Sequence, residues 1–130
     1  MSADPFNLDR FVNAQSGGIF EQALAELTAG RKTSHWIWFI FPQHRDLGRS
    51  ETSKFYGLSG LEEAAAYAAH PLLGERLRQC CRAVLPHLRM ERAEAILGSI
   101  DAQKLRSSME IFGEAVPDEE LFRQVASAIR

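Results

Sequence analysis

The sequence predicts an all-α fold: a single compact domain of six to eight short helices spanning residues 1–130. Three observations carry that expectation. Apolar residues recur at helical spacing along nearly the whole chain, most clearly at Leu73, Leu77, Cys80, Val84 and Leu88, which trace one helix face. Stop and start residues such as Gly30, His70-Pro71, Gly98 and Pro117-Asp118 divide that pattern into short pieces. Only one stretch, Trp36 to Phe41, has the aromatic and β-branched content of a strand, and it has no second strand to pair with. A chain of 130 residues, 45% hydrophobic and 25% charged, buries about two-thirds of its surface on folding. That is enough for a core without staples.

The elements follow in order. Asp4-Pro5 opens a short helical segment carrying Leu8, Phe11 and Val12, which Ser16-Gly17-Gly18 ends. Ile19, Phe20, Ala23, Leu24 and Leu27 form the next apolar stripe, with Gly30 as its stop. Ser34 to Gln43 reads as a buried helix capped by Ser34 and stopped by Pro42, and 44–54 reads as a loop with Asp46, Gly48 and Ser50 as turn residues. Ser59-Gly60-Leu61-Glu62 is a capping box for an Ala-rich helix, on which Leu61, Ala64, Ala65 and Ala68 form the expected inner stripe. Glu63, Tyr67 and His70 then fall on the opposite, solvent side. Pro71 starts the long helix through Leu88, which Pro86 is expected to kink or end. A short helix follows at 93–97, another from Asp101 to Phe112, and a last one carries Leu121, Phe122, Val125 and Ile129.

Composition excludes several function classes. A formal net charge of -2 and the absence of a long basic stripe make nucleic acid an unexpected partner. The longest apolar run is far below the ~20 residues of a membrane span, and no basic-then-apolar leader opens the sequence, so the expected location is the cytoplasm. Cys80 and Cys81 are adjacent, too divergent on a helix to pair and without the spaced partners of a zinc site. They read as free thiols, with no metal and no cofactor implied.

Polar residues set among apolar ones mark the candidate site. Between Arg31 and Lys54 the chain carries five cations against two acids, interleaved with Trp36, Trp38, Phe39 and Phe41. Guanidinium groups grip phosphate or carboxylate in a fork, and aromatic faces stack planar rings. Trp36, Trp38, Gln43, Arg49 and Ser50 are therefore the ligand-binding candidates here, with His35 as a possible general base. On the helix from Asp101, Leu105, Met109 and Phe112 define the inner face, and Asp101, Lys104 and Ser108 lie in or beside it. A carboxylate and an ammonium there need a partner or a ligand. Either Asp101 and Lys104 pair with each other, or they edge a polar cleft with Ser108, where Asp101 and Lys104 join His35 as catalytic candidates.

The block Ser34-His35-Trp36-Ile37-Trp38-Phe39-Ile40-Phe41-Pro42-Gln43, followed by Leu47-Gly48-Arg49-Ser50, resembles the signature of the uncharacterised bacterial family called domain of unknown function 1810, whose members are sometimes labelled calpastatin. Tyr56, Glu63-Ala64, Tyr67, His70-Pro71, Leu73-Gly74-Glu75-Arg76-Leu77, Asp101, Lys104-Leu105 and Ser107-Ser108-Met109 extend the likeness over nearly the whole chain. Glu110-Ile111 stands where the family pattern has Thr-Leu. The resemblance implies a small, cytoplasmic helical protein with no established activity.

Two functional readings remain at this level. In the first, the chain binds or processes a small anionic, nucleotide-like ligand in an Arg/Trp-lined cleft. In the second it is a non-enzymatic module that meets a protein or nucleic acid through Arg78, Arg82 and Arg89. Convergence of the motif residues on one concave surface separates the two.

Overall fold

The helical periodicity is realised as nine α-helices among residues 4–130, the part of the chain that the computed structural model describes; residues 1–3 of the expected unit lie outside it. They are α1 (Asp9–Ala14), α2 (Ile19–Ala29), α3 (Ile37–Ile40), α4 (Glu51–Phe55), α5 (Leu61–Ala69), α6 (Leu73–Met90), α7 (Ala93–Leu97), α8 (Ser99–Ala115) and α9 (Glu120–Ala128), with a 3-10 turn at Arg45–Leu47. Among the described residues, β structure is limited to an isolated bridge between His44 and Leu58.

The amphipathic α6 is the central post, packed against α2, α5 and α9, while α8 lies against α5, α7 and α9. Its apolar face, Leu73, Leu77, Cys80, Val84 and Leu88, is essentially inaccessible to solvent. Together with Phe11, Leu27, Trp36, Tyr67, Phe112 and Phe122 it forms one continuous core. The accessible surface is 7011 Å², close to the ~6,900 Å² that surface scaling gives for this mass.

Four local expectations are corrected. The aromatic block is helical for only one turn, and Trp36, not Ser34, occupies the N-cap of α3. The Ser34 N–H is instead taken by a carboxylate of α2. The 44–54 loop contains the 3-10 turn and α4, which starts because the Ser50 hydroxyl accepts the Ser53 N–H (3.1 Å). The long helix does not end at Pro86 but continues to Met90, so the expected stop is overturned there. Pro86 and Arg82 both face solvent, so the carbonyl that proline leaves unbonded lies on the side of the helix open to water. Gly30, by contrast, ends α2 in the left-handed conformation (φ 77°) that its lack of a Cβ permits, as the sequence indicates.

The fourth correction concerns α5. Its buried face is Glu63, Ala64, Tyr67 and Ala68, and Leu61 is 47% exposed. Glu63 accepts the Ser59 N–H and hydroxyl (both 2.9 Å), so the reciprocal half of the capping box belongs to Glu63 and not to Glu62. It also pairs with Arg10 at 2.8 Å. Arg10 binds the Phe55 and Gly57 carbonyls as well, which ties α1 to the chain ahead of α5. Tyr67 is fully buried, sharing the Phe39 carbonyl with the Gln15 amide. Burial holds its phenol far above the ordinary range. His70 is half-buried, its Nδ1 accepting the Leu72 and Leu73 N–H groups.

Candidate functional site

The segment after the aromatic block is delivered to α8 by three local devices. The His44 imidazole accepts the Asp46 N–H (3.0 Å), the His44–Leu58 bridge anchors the strand-like connection, and Ser50 caps α4. The result is a cleft of about 440 Å³ between this segment and α8. Gln43, Arg49, Ser50 and Ser53 form one wall; Ile100, Gln103, Lys104 and Ser107 form the other. Two stretches about fifty residues apart in sequence thus share one concave surface.

The electrostatics of the cleft are one-sided. Its two ionisable side chains, Arg49 and Lys104, are both cations. Neither has a carboxylate within ion-pair distance among the described residues. Arg49 is exposed; Lys104 is half-buried, its Nζ 5.4 Å from the centroid of the Trp38 ring. Like charges sharing a concavity repel, and an anion between them relieves that repulsion.

Of the ligand-binding candidates, Gln43, Arg49, Ser50 and Lys104 line this cleft. The others do not. Trp36 is 1% exposed and spends its indole N–H on Glu26 Oε1 at 2.9 Å, so it is core and not a stacking wall. Trp38 lies beneath Lys104 with its indole nitrogen buried and unpartnered. Ser108 is fully buried with an unpartnered hydroxyl, and its neighbour Ser107 faces the cleft instead. Ser107 and Gln103 escape the wheel argument because the cleft meets α8 beside its apolar arc, not within it, and Ser53 lies on α4, in the stretch that reads as a loop.

The catalytic candidates do not converge. His35 is exposed and lines a separate concavity of about 370 Å³ with Gly17, Gly18, Gln22 and Phe39. Asp101 pairs with Lys32 at 2.8 Å, which replaces the expected Asp101–Lys104 pair. Lys32 also donates to the Ser34 carbonyl (2.5 Å) and sits 4.9 Å from the Trp36 ring. Lys104 alone of the three reaches the cleft. Among the described residues no three His, Cys, Asp or Glu side chains cluster as metal ligands. Cys80 and Cys81 are buried free thiols; burial pushes Cys80 up to about 12 and holds Cys81 well above its ordinary value.

The polar hub that sequence reasoning missed is Glu26. This buried carboxylate accepts five hydrogen bonds, from the Thr33 and Ser34 N–H groups, the Ser34 hydroxyl, the Trp36 indole and the Gln22 amide. Burial works to raise its pKa, but the hydrogen bonds from Ser34, Gln22, Thr33 and Trp36 hold it far below the usual carboxylate range. The signal was available, since Glu26 falls at the margin of the Ile19–Phe20–Ala23–Leu27 arc on a helical wheel.

The fold and cleft together define an all-α protein presenting a small, unpaired cationic concavity, and among the described residues no helix is long and apolar enough to cross a membrane. Residues 5–129 match the family described as protein of unknown function, DUF1810, and the chain belongs to that family. The crystal structure of the conserved hypothetical protein Rv1873 from Mycobacterium tuberculosis is similar, with 44% sequence identity and a TM-score of 0.92 over 97% of this chain and 89% of that one. No curated protein matches the sequence.

Proposed function

We propose that this protein binds a small anionic ligand, phosphate-bearing and of nucleotide size, in the cleft between residues 43–53 and α8. One observation carries the reading: in a chain of net charge -2, the cleft's only two ionisable residues are cations that no carboxylate neutralises among the described residues. The Arg49 guanidinium offers a planar fork to two oxygens of one phosphate, and Lys104 adds a point charge from the opposite wall. The Gln43 amide and the Ser107 hydroxyl supply neutral donors, and the Ser50 hydroxyl, by donating to Ser53 Oγ (2.9 Å), leaves the Ser53 proton for the ligand. With both tryptophans withdrawn from the cleft, grip comes from the anionic group and not from stacking. Because Lys104 alone of the expected acid–base groups lines the cleft, the reading is one of binding.

The interaction-module reading loses support at Arg78, which donates twice to Glu119 (2.7 and 2.8 Å) and once to the Ala68 carbonyl. That arginine fastens α6 to α9, with three of its five N–H donors and its counter-charge committed inside the protein. Two buried free thiols suit a reducing compartment such as the cytoplasm.

The test is an NMR titration of the protein with inorganic phosphate, pyrophosphate, AMP and ATP. Amide shifts centred on 43–53 and 100–107 are expected, with affinity falling as salt rises. Absence of any shift across the four probes overturns the reading.

A further inference from the structure

The cationic cleft does not end at Ser107. Leu47 and Ser107 also line a second concavity, of about 490 Å³, that continues along α8. Its character is different. Leu61 and Ile111 give it apolar walls, and its acidic residues are Glu110 and Glu114. Neither carboxylate has a cation within ion-pair distance among the described residues. Leu47 and Leu61 are 54% and 47% exposed, large apolar side chains held open to solvent at the middle and far end of one groove. Lys104, Ser107, Ile111 and Glu114 succeed one another at intervals of three and four along α8, so a single helix face runs from positive through apolar to negative.

We infer that the occupant of this groove is a bipartite small molecule: an anionic group at one end, an apolar spacer, and an ammonium or comparable multi-N–H group at the other. The inference rests on the anion-binding reading of the Arg49–Lys104 end and adds the ligand's opposite pole. Charge complementarity sets the orientation, with the anion between Arg49 and Lys104, the spacer over Leu47, Leu61 and Ile111, and the ammonium at Glu110 and Glu114. The α8 axis advances about 9 Å from Lys104 to Glu110 and about 15 Å to Glu114, which sets the span of the ligand. An anion with a wholly apolar tail leaves the two carboxylates unanswered; a second anionic group is repelled by them.

The experiment compares inorganic phosphate, hexyl phosphate and 6-aminohexyl phosphate by calorimetry or NMR titration at low ionic strength. The aminated probe differs from hexyl phosphate only at the terminal ammonium. It is expected to bind about tenfold tighter, the size of one charge-assisted hydrogen bond at a solvent-facing site. In Glu110→Gln/Glu114→Gln, two surface changes of nearly identical shape, that preference is expected to vanish while hexyl phosphate affinity stays the same or rises. Equal binding of the two alkyl phosphates to the wild type overturns this inference and leaves the Arg49–Lys104 reading standing. A preference that survives in the double variant overturns it as well. Failure of all three probes to bind overturns both.

Discussion

Glu26 in α2 and Lys104 in α8 are charged residues set beside apolar helix faces, and their surroundings treat them in opposite ways. Glu26 is buried and saturated, with five donors converging on its two oxygens. Lys104 is half-buried and has no counter-charge, only the face of Trp38. The first arrangement costs desolvation and recovers it in hydrogen bonds, so it is architecture: it fixes the turn from α2 into the aromatic block. The second leaves its positive charge unanswered beside Arg49, so it is available to a ligand. Both side chains sit at the margin of an apolar helix face, and the state of their partners separates them.

The comparison breaks most visibly at Glu26. Glu26→Ala leaves the Trp36 indole and two backbone N–H groups without acceptors, and urea unfolding is expected to show a loss of at least about 3 kcal/mol. The pH dependence has a definite sign. A carboxyl held below its ordinary value of 4.5 in the folded state stabilises the fold above that value and withdraws the contribution as pH falls through and below it. Between about pH 5 and about pH 3 the wild type is therefore expected to lose stability more steeply than Glu26→Gln. An equal slope in the two proteins contradicts the hub.

Lys32 sharpens the contrast, because it decides what Asp101 does. Lys32→Met strands the Asp101 carboxylate, with an expected cost of about 2–4 kcal/mol in unfolding measurements. Asp101 is then free to turn to Lys104, three residues along α8, which lowers pyrophosphate affinity by about tenfold. Adding Asp101→Asn restores that affinity without restoring all the stability. Affinity unchanged in Lys32→Met shows that the two cations are independent.

The fold was largely legible because its signals are local. The Leu73 to Leu88 spacing and the Gly30 and Gly98 stops mark helices without reference to the rest of the chain. What failed depends on distant residues. Glu63 and Tyr67 looked solvent-facing because an alanine-rich helix gives little directional signal. Arg10 and Gln15, more than fifty residues upstream, draw them inward. The Asp101 partner was misread for the same reason, since a wheel compares only residues on one helix and Lys32 lies on another segment. Of the cleft, Gln43, Arg49 and Ser50 were legible as polar groups close behind the aromatic block, and Lys104 as a cation beside an apolar helix face. The withdrawal of Trp36 was not, because it follows from Glu26.

Cys80 and Cys81 give a smaller effect. Replacing each with Ala is expected to cost about 1–2 kcal/mol through lost packing, most at Cys81, which touches Met109 (3.7 Å). Both thiols, raised by burial, are expected to resist alkylation in the native protein at neutral pH and to react on unfolding. Rapid native labelling contradicts this.

The smallest effect on stability and the largest on binding belong to Arg49→Ala/Lys104→Met, and one measurement on this variant tests the central claim most directly. Its thermal midpoint is recorded alone and with pyrophosphate in excess. Without ligand, a change within about 1 kcal/mol of wild type is expected, since neither cation pairs with a carboxylate. With pyrophosphate, the midpoint of the wild type rises by mass action and that of the variant stays where it was. A variant that still gains stability from pyrophosphate, or that unfolds much earlier without it, contradicts the assignment of Arg49 and Lys104 to a ligand.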